Sequence, residues 1–176
     1  MKNDIVEAMR LLAAKGHSGQ YRRGPGRIPY LEHPKAVVNL LKKWGVTDEV
    51  TLAVAWGHDL FEDTDITEED IHAAIPDEGT ADAIITGIMT LTNPDEHNKA
   101  AHIKQIARTG GQRAILVKCA DRICNTKDFL SAGRILKAKS YLTDAAPVFD
   151  AVNLDAAKDE FDLWMDIIER EENCLQ

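Results

Sequence analysis

Long apolar runs, paired cysteines and aromatic side chains are all scarce in this chain. No stretch approaches the about 20 apolar residues that a membrane span needs, and Met1-Lys2-Asn3-Asp4 lacks the apolar core of a signal peptide. The three cysteines, Cys119, Cys124 and Cys174, form no Cys-x-x-Cys pair. Their odd number argues against a disulfide framework, and their spacing against a thiolate zinc site. A reduced, cytoplasmic setting is the simplest expectation. Aromatics make up 6% of the residues, and the formal net charge is -8. That charge argues against nonspecific binding to nucleic acid or to an anionic membrane.

What is abundant is Ala, Leu, Ile, Lys, Glu and Asp, a mixture that favours helices. Helical periodicity runs through almost the whole sequence, and no strict alternation marks a strand. The expected fold is all-α, with residues 1–176 forming a single compact helical domain; this length suffices to bury a core. Asp4 can cap a first helix ending near Gly16, followed by a loop broken by Gly19, Gly24, Pro25, Gly26 and Pro29. A second helix opens after His33 with Pro34 at its first position, and Gly45 closes it. A third starts at Thr47-Asp48-Glu49-Val50 and runs through Leu60 or slightly beyond. Thr67 followed by acids marks another start, and further helices are expected near 79–91, 95–108, 111–127, 131–145 and 147–170.

Charge is unevenly spread along this helical frame. Between Lys15 and Lys43, Arg22, Arg23, Arg27, Lys35 and Lys42 face a single acid, Glu32, whereas acids outnumber bases from Asp144 to Glu172. A local basic loop on an acidic protein suits a small phosphorylated ligand, although an ordinary mixed surface would also give this pattern.

Two apolar helices carry charges where burial would penalise them. Leu52-Ala53-Val54-Ala55-Trp56-Gly57 leads into His58 and Asp59, with Glu62 and Asp63 one turn further on. Ile115 to Ile123 is mostly apolar but holds Lys118 and Asp121, and Asn125 continues their stripe. Burying such groups unpaired costs several kcal/mol each, and a divalent cation would offset it. Each group also has a plainer reading: a solvated helix end for the first cluster, an ion pair with Lys118 or Arg122 for Asp121, a cap for His33. In combination, two imidazoles and two carboxylates form a mixed nitrogen and oxygen set suited to Mn²⁺, Fe²⁺, Co²⁺ or Zn²⁺.

Four segments in series resemble a known family: His17-Ser18-Gly19-Gln20-x-Arg22-Arg23, Pro29-Tyr30-x-x-His33-Pro34, His58-Asp59-x-x-Glu62-Asp63-Thr64 and Lys118-x-Ala120-Asp121-Arg122-x-x-Asn125. Together they look like the successive motifs of the HD-domain alarmone hydrolases of the RelA/SpoT group, and the chain resembles their free-standing small members. The resemblance runs from residue 9 to about residue 145. It implies hydrolysis of the 3′-pyrophosphate of ppGpp and pppGpp. It implies His33, His58, Asp59 and Asp121 as ligands of one divalent metal, usually Mn²⁺, with Glu62 and Asp63 acting on the attacking water. It also places Arg22, Arg23, Asn125, Lys137 and Tyr141 at the nucleotide. Departures are Arg23 where lysine is usual, Trp56-Gly57 before the His-Asp pair, Cys124, and the Gly24-Pro25-Gly26 insert. They leave the metal chemistry intact and bear on substrate identity. Two alternatives stay open at this level: an HD phosphatase acting on NADPH or a nucleoside monophosphate, and a nucleotide-binding or antitoxin-like protein without turnover. Oligomeric state is likewise open.

Overall fold

The computed structural model describes residues 4–23 and 26–174, so Met1 to Asn3 and the expected loop breakers Gly24 and Pro25 lie outside the described residues. Among these residues the chain forms eleven α-helices, and its one β feature is an isolated antiparallel bridge between Tyr21 and Pro29. No helix described is long and apolar enough to cross a membrane. The helices gather into two compact units, one ending at Glu96 and the other beginning at His97.

The first unit holds α1 (Ile5–Gly16), α2 (Glu32–Lys43), α3 (Glu49–Gly57), α4 (Leu60–Asp63), α5 (Glu68–Ala74) and α6 (Glu78–Leu91). Its centre is α3, which Asp48 caps by accepting the Thr51 amide at 3.0 Å. Every residue from Thr51 to Gly57 is buried. An all-round apolar helix must be covered on all sides, and α1, α2 and α6 pack against it. Met9, Leu41 and Ile88 are fully enclosed, each worth about 1.5–3 kcal/mol of burial. At the start of α5, where the sequence marks Thr67 and the acids after it, the Thr67 side chain meets the Asp70 amide and the Asp70 carboxylate returns to Thr67, a reciprocal capping box.

Two boundaries differ from the sequence expectation. α2 begins at Glu32, so His33 lies inside its first turn and Pro34 sits third, where the missing N–H still has no helical partner to lose. α3 stops at Gly57 instead of continuing through Leu60, and α4 resumes after a break at His58-Asp59. The carbonyl of Ala55, which the Asp59 amide would meet in a continuous helix, is engaged by the His58 ring at 2.8 Å.

The second unit holds α7 (Lys99–Thr109), α8 (Gly111–Ser131), α9 (Ile135–Thr143), α10 (Ala146–Ala151) and α11 (Asp155–Asn173). Here α8 is the axis, and the other four helices pack on it. Ile103, Ile106, Ile123, Leu142 and Ile168 form its enclosed core. The helix expected over 147–170 is in fact two. The Gln112 side chain donates to the Ala151 carbonyl at 3.0 Å and accepts from the Asn153 amide at 2.8 Å. It thereby satisfies the backbone where Val152 turns extended.

Gly57 is a point of close packing on α3. A Cβ added there would stand 2.6 Å from Ile88 Cδ1 and 2.7 Å from Met9 Cε, well inside van der Waals contact. Gly57→Ala should therefore destabilise the protein by about 1–3 kcal/mol, the usual cost of overpacking. Urea unfolding of the variant beside the parent measures it, and an unchanged midpoint would contradict the packing described.

Candidate metal centre

Three of the residues singled out in the sequence come together in the first unit. His33 enters from the first turn of α2, its amide donating to the Tyr30 carbonyl at 2.9 Å. His58 and Asp59 come from the break between α3 and α4. The His58 Nδ1–H is donated to the Ala55 carbonyl, which makes Nε2 the ring nitrogen that would bind a metal. That Nε2 lies 3.3 Å from His33 Nε2 and 3.1 Å from Asp59 Oδ2, and His33 Nε2 lies 3.7 Å from the same oxygen. The two imidazoles meet edge to face with centroids 5.2 Å apart. Both histidines are buried, while Asp59 is half-buried at the rim.

This donor set fits a divalent cation. Ligand atoms about 2.1 Å from a shared ion stand roughly 3 to 3.5 Å apart, close to the separations found. All three donor atoms also lie within 4.8 Å of one another. Electron-rich atoms crowded in a buried pocket repel unless positive charge lies between them.

Glu62 and Asp63 sit exposed on α4, beside this cluster in sequence. The Glu62 carboxylate accepts the Asn93 amide, which ties α4 to the turn following α6. The Tyr30 hydroxyl shares its one proton between Asp59 Oδ2 at 2.7 Å and Asp63 Oδ2 at 3.1 Å. Tyr30 has no role in the sequence reading, although it stood inside a quoted motif. Its ring stacks on buried His17, centroids 4.5 Å apart, and the Arg22 guanidinium lies 5.6 Å from its centroid. His17 in turn bonds Gln20, whose side-chain amide donates to the Asp63 carbonyl at 2.7 Å. Arg22 is thus held against the cluster's rim, whereas Arg23 lies on the exposed part of the loop.

The remaining predicted residues belong to the second unit. Asp121 is buried at the middle of α8, 4% exposed, with Lys118 Nζ 3.2 Å from Oδ2 and Asn125 Nδ2 2.5 Å from Oδ1. Asn125 also donates to the Tyr141 hydroxyl at 3.3 Å. The Arg122 guanidinium lies 3.9 Å from the Tyr141 ring centroid, and the Lys137 ammonium is 5.9 Å from it. So Asp121, Asn125, Lys137 and Tyr141 form one patch. Phe129 and Arg134, which the sequence reading missed, join it: Phe129 packs edge-on to Tyr141, and Arg134 sits 5.2 Å from the Phe129 centroid. A basic and aromatic patch of this kind suits a ligand with flat rings and phosphates. Cys119, beside it on α8, is buried, and burial pushes its thiol well above the usual range, so it is no nucleophile.

Comparison with known proteins gives a consistent result. Residues 9–149 match the family model of the HD domain. The chain is 34% identical over 132 residues to the guanosine-3′,5′-bis(diphosphate) 3′-pyrophosphohydrolase MESH1 of Xenopus tropicalis, covering 70% of this chain and 68% of that one. It is 35% identical over 130 residues to MESH1 of Homo sapiens, covering 69% and 70%. A 36% identity to a probable guanosine-3′,5′-bis(diphosphate) 3′-pyrophosphohydrolase of Synechocystis spans 64% of this chain but 15% of that protein. Among solved structures, a metazoan ortholog of SpoT described as hydrolysing ppGpp aligns with a TM-score of 0.76. It covers 98% of this chain and 97% of that one at 23% identity, which shows a shared fold.

A ligand that binds only the folded state stabilises it by mass action. A divalent transition metal at about 100 times its Kd should therefore add about 2.7 kcal/mol. His33→Ala, which removes a buried donor, should abolish most of that gain. Denaturant unfolding with and without metal reads both; an equal gain in the variant would contradict the centre described.

Proposed function

The chain belongs to the HD-domain family, and from that premise we propose that it hydrolyses the 3′-pyrophosphate of guanosine tetra- and pentaphosphate, yielding GDP or GTP and pyrophosphate. The observation that carries the reading is the convergence of His33 Nε2, His58 Nε2 and Asp59 Oδ2 beside a loop that holds Arg22. Relatives bearing that enzymatic name, at 34% and 35% identity, support the choice of substrate. The family match runs across both compact units, which supports treating residues 1–176 as one domain.

In this reading His33, His58, Asp59 and Asp121 hold one Mn²⁺. Asp121 is included because it is a buried carboxylate in the fourth motif of the series. Mn²⁺ is chosen on the mixed donor set together with the family resemblance. When bound, the cation supplies Lewis-acid polarisation of a phosphoryl oxygen and a lowered pKa for water beside it.

The chain's own groups account for the rest. Glu62 and Asp63 each spend one contact on a neighbour, Asn93 and Tyr30 respectively. A carboxylate offers about four acceptor sites, so each can still orient a water and take its proton. The water oxygen bonds to the phosphorus nearest the ribose, the bond from that phosphorus to O3′ breaks, and O3′ leaves with a proton as the hydroxyl. Arg22 and Arg23 neutralise the diphosphate, and Arg22 does so from a fixed position over Tyr30. Asn125, Lys137 and Tyr141 hold the nucleoside. The net charge of -8 supports a small nucleotide met at the basic loop over nucleic acid or an anionic membrane. Such a substrate places the work in the cytoplasm.

With Mn²⁺ present, ppGpp should be converted to GDP and pyrophosphate faster than NADPH or dAMP is dephosphorylated. Glu62→Gln should keep its metal and its nucleotide affinity while turnover falls about 10²-fold or more, the scale of a lost general base. If ppGpp is untouched while another nucleotide turns over, the scaffold stands and the substrate is wrong. Binding of ppGpp without any turnover would mark a sensor. Loss of metal in Glu62→Gln would move Glu62 into the ligand set.

A further inference from the structure

We propose that Tyr30 is a positioning residue whose hydroxyl sets the ligand oxygen of Asp59 and the carboxylate of Asp63 together, and so ties the arginine-bearing loop to the metal centre. The inference rests on the metal reading above. It starts from the atom contacted: Asp59 Oδ2, at 2.7 Å from the phenol oxygen, is the same oxygen that stands 3.1 Å from His58 Nε2. A phenol donating to a carboxylate at this distance is a charge-assisted bond, stronger and more directional than a neutral one. Tyr30 has a single hydroxyl proton, shared unequally: the 2.7 Å contact gives most of it to Asp59 Oδ2, and the 3.1 Å contact gives Asp63 Oδ2 the lesser part, so one proton spans the two acids.

The hydroxyl can do this because the ring is held on several sides. Four contacts close a circuit around it. Tyr30 donates to Asp63; the Asp63 carbonyl accepts from the Gln20 side chain; Gln20 Oε1 meets His17 Nδ1 at 2.8 Å; and the His17 ring stacks on Tyr30 at an interplanar angle of 27°. Gln20 Oε1 can only accept, so His17 donates through Nδ1. The Tyr30 amide adds a fifth tie by donating to the Gln20 carbonyl at 3.0 Å, and the His33 ring stands edge-on to Tyr30 at 6.0 Å. Asp63 is therefore held twice, at its main chain by Gln20 and at its carboxylate by Tyr30. Arg22 lies over the same ring, so the group that meets phosphate and the groups that meet metal and water share one anchor.

Tyr30→Phe separates this role from packing, because the ring, its stacking on His17 and the surface under Arg22 all survive. Mn²⁺ affinity, by competition with a fluorescent chelator, should weaken about 10- to 100-fold, the range for losing a partner of a metal ligand. kcat should fall about 10-fold or more while KM for ppGpp stays within about twofold, since Arg22 keeps its seat. The melting temperature without metal should stay close to the parent's. Gln20→Leu, which reaches Asp63 but not Asp59, should lower kcat and leave Mn²⁺ affinity at the parent level. Parent-like metal affinity in Tyr30→Phe would overturn the proposal, as would equal loss of metal by Gln20→Leu, which would mean general loosening of the loop. A parent protein that binds no Mn²⁺ would instead overturn the metal reading itself.

Discussion

The Nδ1–H of His58 is given to the Ala55 carbonyl at 2.8 Å, and most of the centre follows from that bond. It fixes Nε2 as the ring nitrogen that would face a metal. It also lies where α3 ends, at the two-residue interruption before α4 begins at Leu60. The side chain that would be a metal ligand thus helps to make the backbone geometry that presents it. Burial supplies the other half of the constraint: with α3 enclosed by α1, α2 and α6, the ring has no solvent to turn toward.

Around that point the chemistry is graded from inside to outside. The two histidines are buried, Asp59 is half-buried, and Glu62 and Asp63 are exposed. Metal-facing nitrogen therefore lies deepest, and the acids that would meet water lie at the surface, where water can reach them. The loop with Arg22 is joined to this gradient through Tyr30. In the second unit the same economy appears on α8. One turn of that helix carries Asp121 and Asn125, and Asn125 reaches both the buried acid and the hydroxyl of Tyr141.

How much of this was legible in the sequence follows from how local each cause is. The starts of α1 at Asp4, of α3 within Thr47 to Val50 and of α5 at Thr67 rest on contacts across three residues, and those starts could be read directly. The break at Val152 could not, because it depends on Gln112, some forty positions earlier in the chain. The break at His58 is local, yet the surrounding residues suit a helix and nothing in their pattern marks where it stops. The gathering of His33, His58 and Asp59 is what the serial motifs pointed to. Tyr30 was visible only as a motif letter; that its hydroxyl reaches an acid 29 residues later is a fact of three-dimensional packing. Phe129 and Arg134 carry no helix or turn signal of their own and become notable only beside Tyr141 and Lys137.

Binding of one divalent ion among His33, His58 and Asp59 is the property on which the chemistry of the centre depends. Crystals of the protein grown with Mn²⁺ and measured across the manganese absorption edge would test it most directly. One anomalous peak per chain is expected, within bonding distance of His33 Nε2, His58 Nε2 and Asp59 Oδ2. A fully ordered site with no peak among those three donor atoms, or a peak held by other residues, would contradict it.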